Sequence, residues 1–356
     1  MRILSIETSC DETSAAVVEK NNTSLPIVIS SSLASSSDLH ALTGGIIPEK
    51  AARAQLEYIL PIICTALLAS QNEKFSDTQS AYQKAMHILS TSIDAIAITH
   101  GPGLIGSLLI GIETAKTLSV IYNKPLIPVN HLLAHLYANF ITTTDNRQPS
   151  FPFIGLIVSG GHTDLLYFED HGKYTWIGGT RDDAAGEAMD KIGRVLNLQY
   201  PAGPEIEKQA KNAKEKTIRF SRALKNSDDF DFSFSGLKTE AARYIQKQKN
   251  LSEQQIDEIC YAVQDAVADV LVYKTLKAAE KYNCQTILLG GGVSANEYLT
   301  DAFKIEMRNS NLKIDFFFPE KKFTSDNAAM IGAYAALNYS PIPWQEVTAH
   351  PELHLI

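Results

Sequence analysis

The sequence predicts an α/β protein of two related halves around a central nucleotide cleft, and three observations carry that reading. A β-turn-β unit near residue 2 returns about 150 residues later. A strand–glycine turn–helix unit near residue 93 returns about 190 residues later. The chain has 356 residues, 45% of them hydrophobic and 20% charged, which is enough for two cores and too ordinary for a disordered or fibrous protein.

The elements follow in order. Arg2-Ile3-Leu4-Ser5-Ile6 reads as a strand, Glu7 to Ser14 as a polar turn and Ala15 to Val18 as the returning strand. Phe153 to Val158, the turn Ser159-Gly160-Gly161-His162-Thr163 and Leu165 to Phe168 repeat it, with Ser9, Thr13 and Glu19 aligning with Ser159, Thr163 and Glu169. Ile93 to Thr99, then His100-Gly101-Pro102-Gly103 and an apolar helix from Leu108, is echoed by Thr286 to Leu289, Gly290-Gly291-Gly292 and a helix from about Asn296. The larger second offset places about 40 extra residues in the second half, as a helical insertion at about 170–260. The expected lobes are 1–143 and 153–337, with 144–152 as linker and 338–356 as a C-terminal tail. Residues 70–92 are polar and weakly periodic, and read as a surface insertion without chemistry. The uncharged run Ala95 to Ile112 has membrane-spanning length, but His100-Gly101-Pro102-Gly103 at its centre breaks it into strand, turn and helix.

A net charge of −8 and a pI near 5.6 exclude gripping nucleic acid with the whole surface. A local strip remains open. Seven bases (Lys208, Lys211, Lys214, Lys216, Arg219, Arg222, Lys225) face three acids between residues 205 and 225, and Lys238, Arg243, Lys247 and Lys249 continue the excess. That is either a solvated helix face or a phosphate-contact strip for RNA. Four scattered cysteines without a C-x-x-C pair argue against a disulfide framework and for a reducing compartment. The N-terminus lacks an apolar signal core, and Glu7 and Asp11 oppose a transit peptide, so a cytoplasmic location is expected.

The chemistry gathers in a few motifs. Three glycine turns follow strands, at 101–103, 159–161 and 290–292, where backbone N–H groups can approach a phosphate. None is a Walker loop, and no G-x-G-x-x-G opens a helix after the first strand. His131 and His135, four apart, share one helix face, the spacing of metal ligands and equally of two ordinary histidines. Leu132 stands where a zinc protease carries its glutamate base. Asp326 is either a third ligand or the N-cap of a helix at Ala328 to Leu337. Asp182, Asp183 and Glu187 read as an acidic helix start, with Asp190 placed to meet a ligand hydroxyl and Gly203 open to a planar group.

Together the motifs resemble the tRNA N6-adenosine threonylcarbamoyltransferase family in its bacterial and organellar form, formerly described as O-sialoglycoprotein endopeptidases. The matching stretches run in the family's order from residue 2 to about 337: IETSCDETS (6–14), GGIIPEKAAR (44–53), HGPGLIGSLLIG (100–111), NHLLAH (130–135), IVSGGHTDL (157–165), DDAAGEAMDK (182–191), YPAGPEIEK (200–208), DFSFSGLKT (231–239), LGGGVSAN (289–296) and TSDNAAMIG (324–332). The resemblance implies the sugar-kinase/Hsp70/actin type of fold, a duplicated ribonuclease-H-like α/β unit. It implies transfer of a threonylcarbamoyl group from threonylcarbamoyl-adenylate to N6 of the adenosine 3′ of the anticodon (position 37) in tRNAs reading ANN codons, with release of AMP.

By the same resemblance, His131, His135 and Asp326 are the metal ligands. They would hold one divalent ion per subunit, iron (Fe2+) first and zinc second, although the donor set alone suits both. Ile157, Val158, Ser159, Gly160 and Gly161 would contact the phosphate and carbonyl end of the adenylate, and Asp190, Gly203, Glu207 and Asn296 its nucleoside side. Asp11 and Glu12 are candidates to assist beside the acceptor adenosine, with no acid or base role assigned. The implied partners are tRNA, a paralogous subunit and a small ATPase. Two departures stand out: Asn130 where many relatives have a further histidine, and Ala202 where Pro-Gly-Gly-Pro has its first glycine. A metal-dependent sialoglycoprotease and a kinase of the same fold are the alternatives. Leu132 counts against the first, and Glu7-Thr8-Ser9 in place of Asp-x-Gly-Thr against the second.

Overall fold

The computed structural model describes residues 1–21, 24–36, 46–73, 77–142, 147–248, 250–310 and 313–355. Gly44, Gly45 and Lys249, and part of the expected linker, lie outside these. The chain forms two compact units, Met1–Gln148 with Ser325–Leu355, and Pro149–Thr324.

The first unit is built on β1 (Arg2–Glu7), β2 (Glu12–Glu19) and β3 (Ile27–Ser35), followed by α1 (Pro48–Ala69) and α2 (Thr78–Ser92). Then come β4 (Ala95–Gly101), α3 (Ile105–Tyr122), β5 (Leu126–Asn130) and α4 (His131–Tyr137). The sheet order is β3-β2-β1-β4-β5, with β1–β2 antiparallel and β1–β4–β5 parallel. Leu4 and Ile6 of β1 face a core shared with Ile59, Ile63 and Leu67 of α1 and Ile112 of α3. Both α1 and α3 have the length and apolar composition of a membrane span, and here they bury that apolar face on the sheet. Residues 70–92 prove more than a surface insertion: α2 is capped by Asp77, whose side chain accepts from Ser80 N. It also buries Ala81, Ala85, Ile88 and Leu89. The polar majority on its other face had masked this narrow apolar stripe.

The second unit opens with β6 (Phe153–Val158), β7 (Thr163–Asp170) and β8 (Lys173–Gly179). Helices α5 (Ala185–Val195), α6 (Ala202–Ala210), α7 (Ser235–Lys247) and α8 (Glu253–Lys281) follow, then β9 (Thr286–Gly290), α9 (Glu297–Asn309) and β10 (Asp315–Phe317). Its sheet order, β8-β7-β6-β9-β10, repeats that of the first unit strand for strand. The repeated units of the sequence therefore mark two copies of one topology, each with a third antiparallel strand that the sequence pattern did not show. β8 occupies the start of the stretch expected to be helical. In α8, Lys274 is fully buried, and its ammonium donates to Ser227 Oγ at 2.8 Å and to the carbonyl of Asp229 at 3.2 Å. These bonds compensate the burial of its charge and fix the loop before α7.

The chain then returns to the first unit. α10 (Ala328–Leu337) is almost entirely buried and packs on β1 and β2. Its small residues have a steric reason: a Cβ on Gly332 would lie 2.5 Å from Val18 Cγ2 and 2.8 Å from Ser5 Oγ. Residues 325–355, expected to end the second lobe and form a tail, thus belong to the first unit. His350 N donates to His100 O at 2.8 Å and Gly103 N to Pro351 O at 3.2 Å, so the final segment braces the turn after β4.

Candidate functional site

In the first unit, the start of α4 delivers the histidine pair. Asn130 caps that helix, its side-chain oxygen accepting from Leu132 N at 2.9 Å and Leu133 N at 3.2 Å. The residue that departs from the many relatives with histidine is therefore the cap that sets the helix direction. His131 and His135 are both buried, their rings 4.7 Å apart. Asp326 Oδ1 lies 3.4 Å from His131 Nε2 and 3.2 Å from His135 Nε2. Capping of α10 falls to the neighbouring Asn327, which accepts from Met330 N at 3.0 Å, and Asp326 turns to the histidines.

These residues fit a divalent ion. The three donor atoms lie within 4.8 Å of one another, and two ligands of one tetrahedral ion at about 2.1 Å sit about 3.4 Å apart. Behind His131, Nδ1 faces Glu7 Oε2 at 3.0 Å, which places the proton on Nδ1 and leaves Nε2 as the donor atom. Glu7 is fully buried, and its remaining capacity is used by Thr99 Oγ1 at 2.5 Å and Ser9 N at 2.5 Å. Neither Glu7 nor Thr99 stood out as a site residue in the sequence. The only signal was the position of Glu7 at the head of the polar turn.

Electrostatics separate the two histidines. Burial disfavours charge on His131, but the Glu7 and Asp326 carboxylates outweigh it and raise its pKa well above the ordinary value. His135 is lowered, chiefly by burial, and its buried Nδ1 has no hydrogen-bond partner among the described residues. Burial pushes Asp326 up, but the two imidazoles hold it far below the ordinary carboxylate range. Glu12 is pushed up to about 10 by burial and then by the charges of Asp326 and Asp11. The two candidate carboxyls of the β1–β2 turn, Asp11 and Glu12, thus share the electrostatic environment of the Asp326 centre.

In the second unit, Ile157 and Val158 are fully buried at the end of β6 and aim the Ser159-Gly160-Gly161 turn. The Ser159 hydroxyl accepts from His162 N at 3.1 Å, holding the turn shut. A Cβ on Gly160 or Gly161 would meet no atom within 4 Å, so that face of the turn is open. Its other side rests on Gly186 of α5, where a Cβ would lie 2.6 Å from Ser159 O. Gly291, at φ +90°, makes a similar approach to Val158 O. Gly186 is a residue that sequence reasoning passed over.

The four residues expected on the nucleoside side fall into two contacts. Asp190 Oδ1 accepts from Ala202 N at 2.7 Å at the start of α6, beside Gly203. Burial raises the Asp190 pKa, against the pull of the Ala202 and Gly203 N–H groups. Glu207 accepts from Glu297 N at 3.0 Å, and Asn296 caps the same helix, α9, through Leu299 N at 2.8 Å. Asp182 departs from the expected acidic helix start: its carboxylate accepts from Phe234 N at 2.8 Å and Ser235 N at 3.1 Å, which caps α7 instead of α5.

The basic strip is partly neutralised, Lys214, Lys216, Arg243 and Lys247 forming no ion pair with a described carboxylate. Lys208 pairs with Glu205 at 3.5 Å and Lys211 with Glu297 at 2.8 Å. Arg219 pairs with Asp265 at 2.8 Å, Arg222 with Asp269 at 3.1 Å, Lys225 with Asp269 at 2.7 Å and Lys238 with Asp183 at 2.7 Å. Most of these carboxylates lie on α8 and α9, outside the window in which the charge excess was counted.

The family model of tRNA N6-adenosine threonylcarbamoyltransferase matches residues 27–333. A tRNA N6-adenosine threonylcarbamoyltransferase of Endomicrobium trichonymphae is 45% identical over 336 residues, covering 94% of this chain and 92% of that protein. Its counterpart from Halalkalibacterium halodurans is 42% identical, covering 99% and 96%. Among solved structures, HypF of T. kodakarensis shares the fold with a TM-score of 0.54 at 14% identity, over 73% of this chain and 43% of that one.

Proposed function

The chain belongs to the tRNA N6-adenosine threonylcarbamoyltransferase family, and from that premise we propose how its residues divide the work. It is a transferase that moves the threonylcarbamoyl group from threonylcarbamoyl-adenylate to N6 of the adenosine 3′ of the anticodon in tRNAs reading ANN codons. The N6 lone pair attacks the carbamoyl carbonyl and a C–N bond forms. The C–O bond to the phosphate breaks, N6 loses a proton, and AMP leaves with the electron pair.

We assign His131, His135 and Asp326 as the ligands of one divalent metal, iron (Fe2+) ahead of zinc. The observation that carries this is the convergence of three donor atoms backed by the buried Glu7. Such an ion supplies Lewis acidity that stabilises negative charge on oxygen. Glu7 orients His131 and fixes its proton on Nδ1. The open face of Gly160 and Gly161 supports the assignment of 157–161 to the phosphate and carbonyl end of the adenylate. Asp190, Gly203, Glu207 and Asn296 are assigned to its nucleoside side. We keep Asp11 and Glu12 as candidates to assist beside the acceptor adenosine, with no acid or base role assigned. A sialoglycoprotease is not favoured, because Leu132 buries an apolar side chain where the base would stand.

We further propose that the chain works in the cytoplasm with a paralogous subunit and a small ATPase. The support for a partner subunit is an apolar patch: Leu56 and Leu60 on α1 and Ile105 and Leu109 on α3 are 66%, 45%, 51% and 44% exposed. On each helix the pair is one turn apart, and a Cβ on Gly106 would lie 3.2 Å from Ala52 Cβ, which brings the two helices together. The test is incubation of the chain, with its partner subunits, with threonylcarbamoyl-adenylate and unmodified tRNA. Nucleoside mass spectrometry should then show threonylcarbamoyladenosine, and unmodified adenosine under all conditions would refute the reading.

A further inference from the structure

The ion pairs described above leave an unequal distribution of cations in the second unit. In the segment richest in bases by sequence most are paired off, Lys214 and Lys216 excepted, and Lys216 lies over the Tyr261 ring; Arg243 and Lys247 of α7 are likewise exposed and form no ion pair with any described carboxylate, and these two share one groove. Both line a groove of about 570 Å³ that also includes Ser221, Gly236, Thr239 and Tyr244. Gly236, Glu240, Arg243 and Lys247 follow helical spacing, so they form one stripe along α7. The groove's single carboxylate, Glu240, is engaged by Ser221 N at 2.8 Å and Ser221 Oγ at 2.6 Å. Gly236 adds a flat stretch of floor, where a Cβ would meet nothing within 4 Å.

We infer that this groove is a contact surface for the sugar–phosphate backbone of the RNA substrate, an inference that rests on the transferase reading. A chain of net charge −8 repels a polyanion over most of its surface, so contact requires a local site of unneutralised cations. Arg243 and Lys247 are one turn apart, about 6 Å along the helix axis, which lets each meet a separate phosphate of one strand. The Tyr244 hydroxyl can donate to a phosphate and Thr239 Oγ1, whose proton goes to Ser235 O at 3.0 Å, can accept from a ribose hydroxyl, polar contacts that set the backbone's register without reading sequence. The paired bases of 205–225 (Lys208, Lys211, Arg219, Arg222 and Lys225), by contrast, would have to break their ion pairs to bind.

The experiment uses the full chain carrying Arg243→Glu and Lys247→Glu together, and measures binding of unmodified tRNA across a salt series. The expected result is at least tenfold weaker binding at low salt, with the log–log salt slope shallower by about two, since each phosphate contact contributes about one. In the transfer assay, KM for tRNA should rise while kcat at saturating tRNA holds. The neutral pair Arg243→Gln and Lys247→Gln should show a smaller loss in the same direction, and both sites are exposed, so the fold is retained. Wild-type affinity and slope in the charge-reversed variant overturn the inference and leave the transferase reading intact. Loss of a protein partner with tRNA affinity unchanged also overturns it, since the face would then be a protein surface. A wild-type chain that neither binds nor modifies tRNA, even with its partner subunits, refutes the transferase reading and this inference with it.

Discussion

The imidazole of His131 is held between two carboxylates of different character: Glu7, fully buried, at 3.0 Å from Nδ1, and Asp326, partly open, at 3.4 Å from Nε2. Glu7 thereby sets both the orientation and the basicity of the proposed metal ligand without being one itself.

For the proposed metal, that relationship predicts a pH-dependent affinity. His131 is raised well above its ordinary pKa by Glu7 and Asp326 despite its burial, so near neutrality the metal-free site carries an extra proton. Binding must expel it. Affinity should therefore rise with pH, by about tenfold per unit below the His131 pKa if one proton is released. Glu7→Gln removes one of the charges that hold the proton, so the dependence should flatten and shift to lower pH. Calorimetric titration of the metal-free chain in buffers of different ionisation enthalpy counts the protons. An unchanged proton count in Glu7→Gln would remove Glu7 from this role.

His131→Ala and His135→Ala should each reduce bound metal well below one per chain and abolish transfer, yet differ in stability. The first strands the buried Glu7 carboxylate, at a cost of about 3 kcal/mol or more. The second removes a ring whose Nδ1 has no partner among the described residues, and should cost less. Metal analysis and denaturant unfolding of the metal-free proteins separate the two effects. Equal destabilisation would argue against the Glu7 contact.

Substitutions at Gly160 and Gly186 should differ in their effect on stability. Gly160 lies outside the left-handed region and a Cβ there meets open space, so the folding loss expected of a strained glycine should not occur. Gly160→Val should keep the wild-type Tm and weaken a non-hydrolysable adenylate analogue at least tenfold, or about 1.4 kcal/mol. Gly186→Ala, whose Cβ would press against Ser159 O at 2.6 Å, should lower Tm as well. A Gly160→Val chain that binds the analogue normally would show that this turn does not hold the ligand.

Leu56→Lys with Leu60→Lys should leave the monomer folded, because both side chains are exposed. The same pair should abolish association with the paralogous subunit in sedimentation analysis. Normal association would move the partner surface elsewhere.

Some of the molecule was determined by the sequence alone. The polar turn after Ile6 and its echo after Val158 mark β1–β2 and β6–β7, because strand alternation and turn chemistry are local properties of a few consecutive residues. The four-residue spacing of His131 and His135 fixes a shared helix face for the same reason. What the tertiary structure decided is which of two adjacent residues does which job, and which charges are left over. By sequence Asp326 reads equally as a ligand or as the cap of α10, and only the folded chain gives the cap to Asn327 and brings Asp326 to the imidazoles of α4. Arg219, Arg222 and Lys225 look like part of a basic excess until α8 brings Asp265 and Asp269 beside them, some 45 residues along the chain. α2 and the 325–355 segment likewise show their roles only when folded, because a narrow apolar stripe or a run of small residues acquires meaning from the surface it meets. Pairing between distant side chains depends on the path of the backbone, and no window of consecutive residues contains that path.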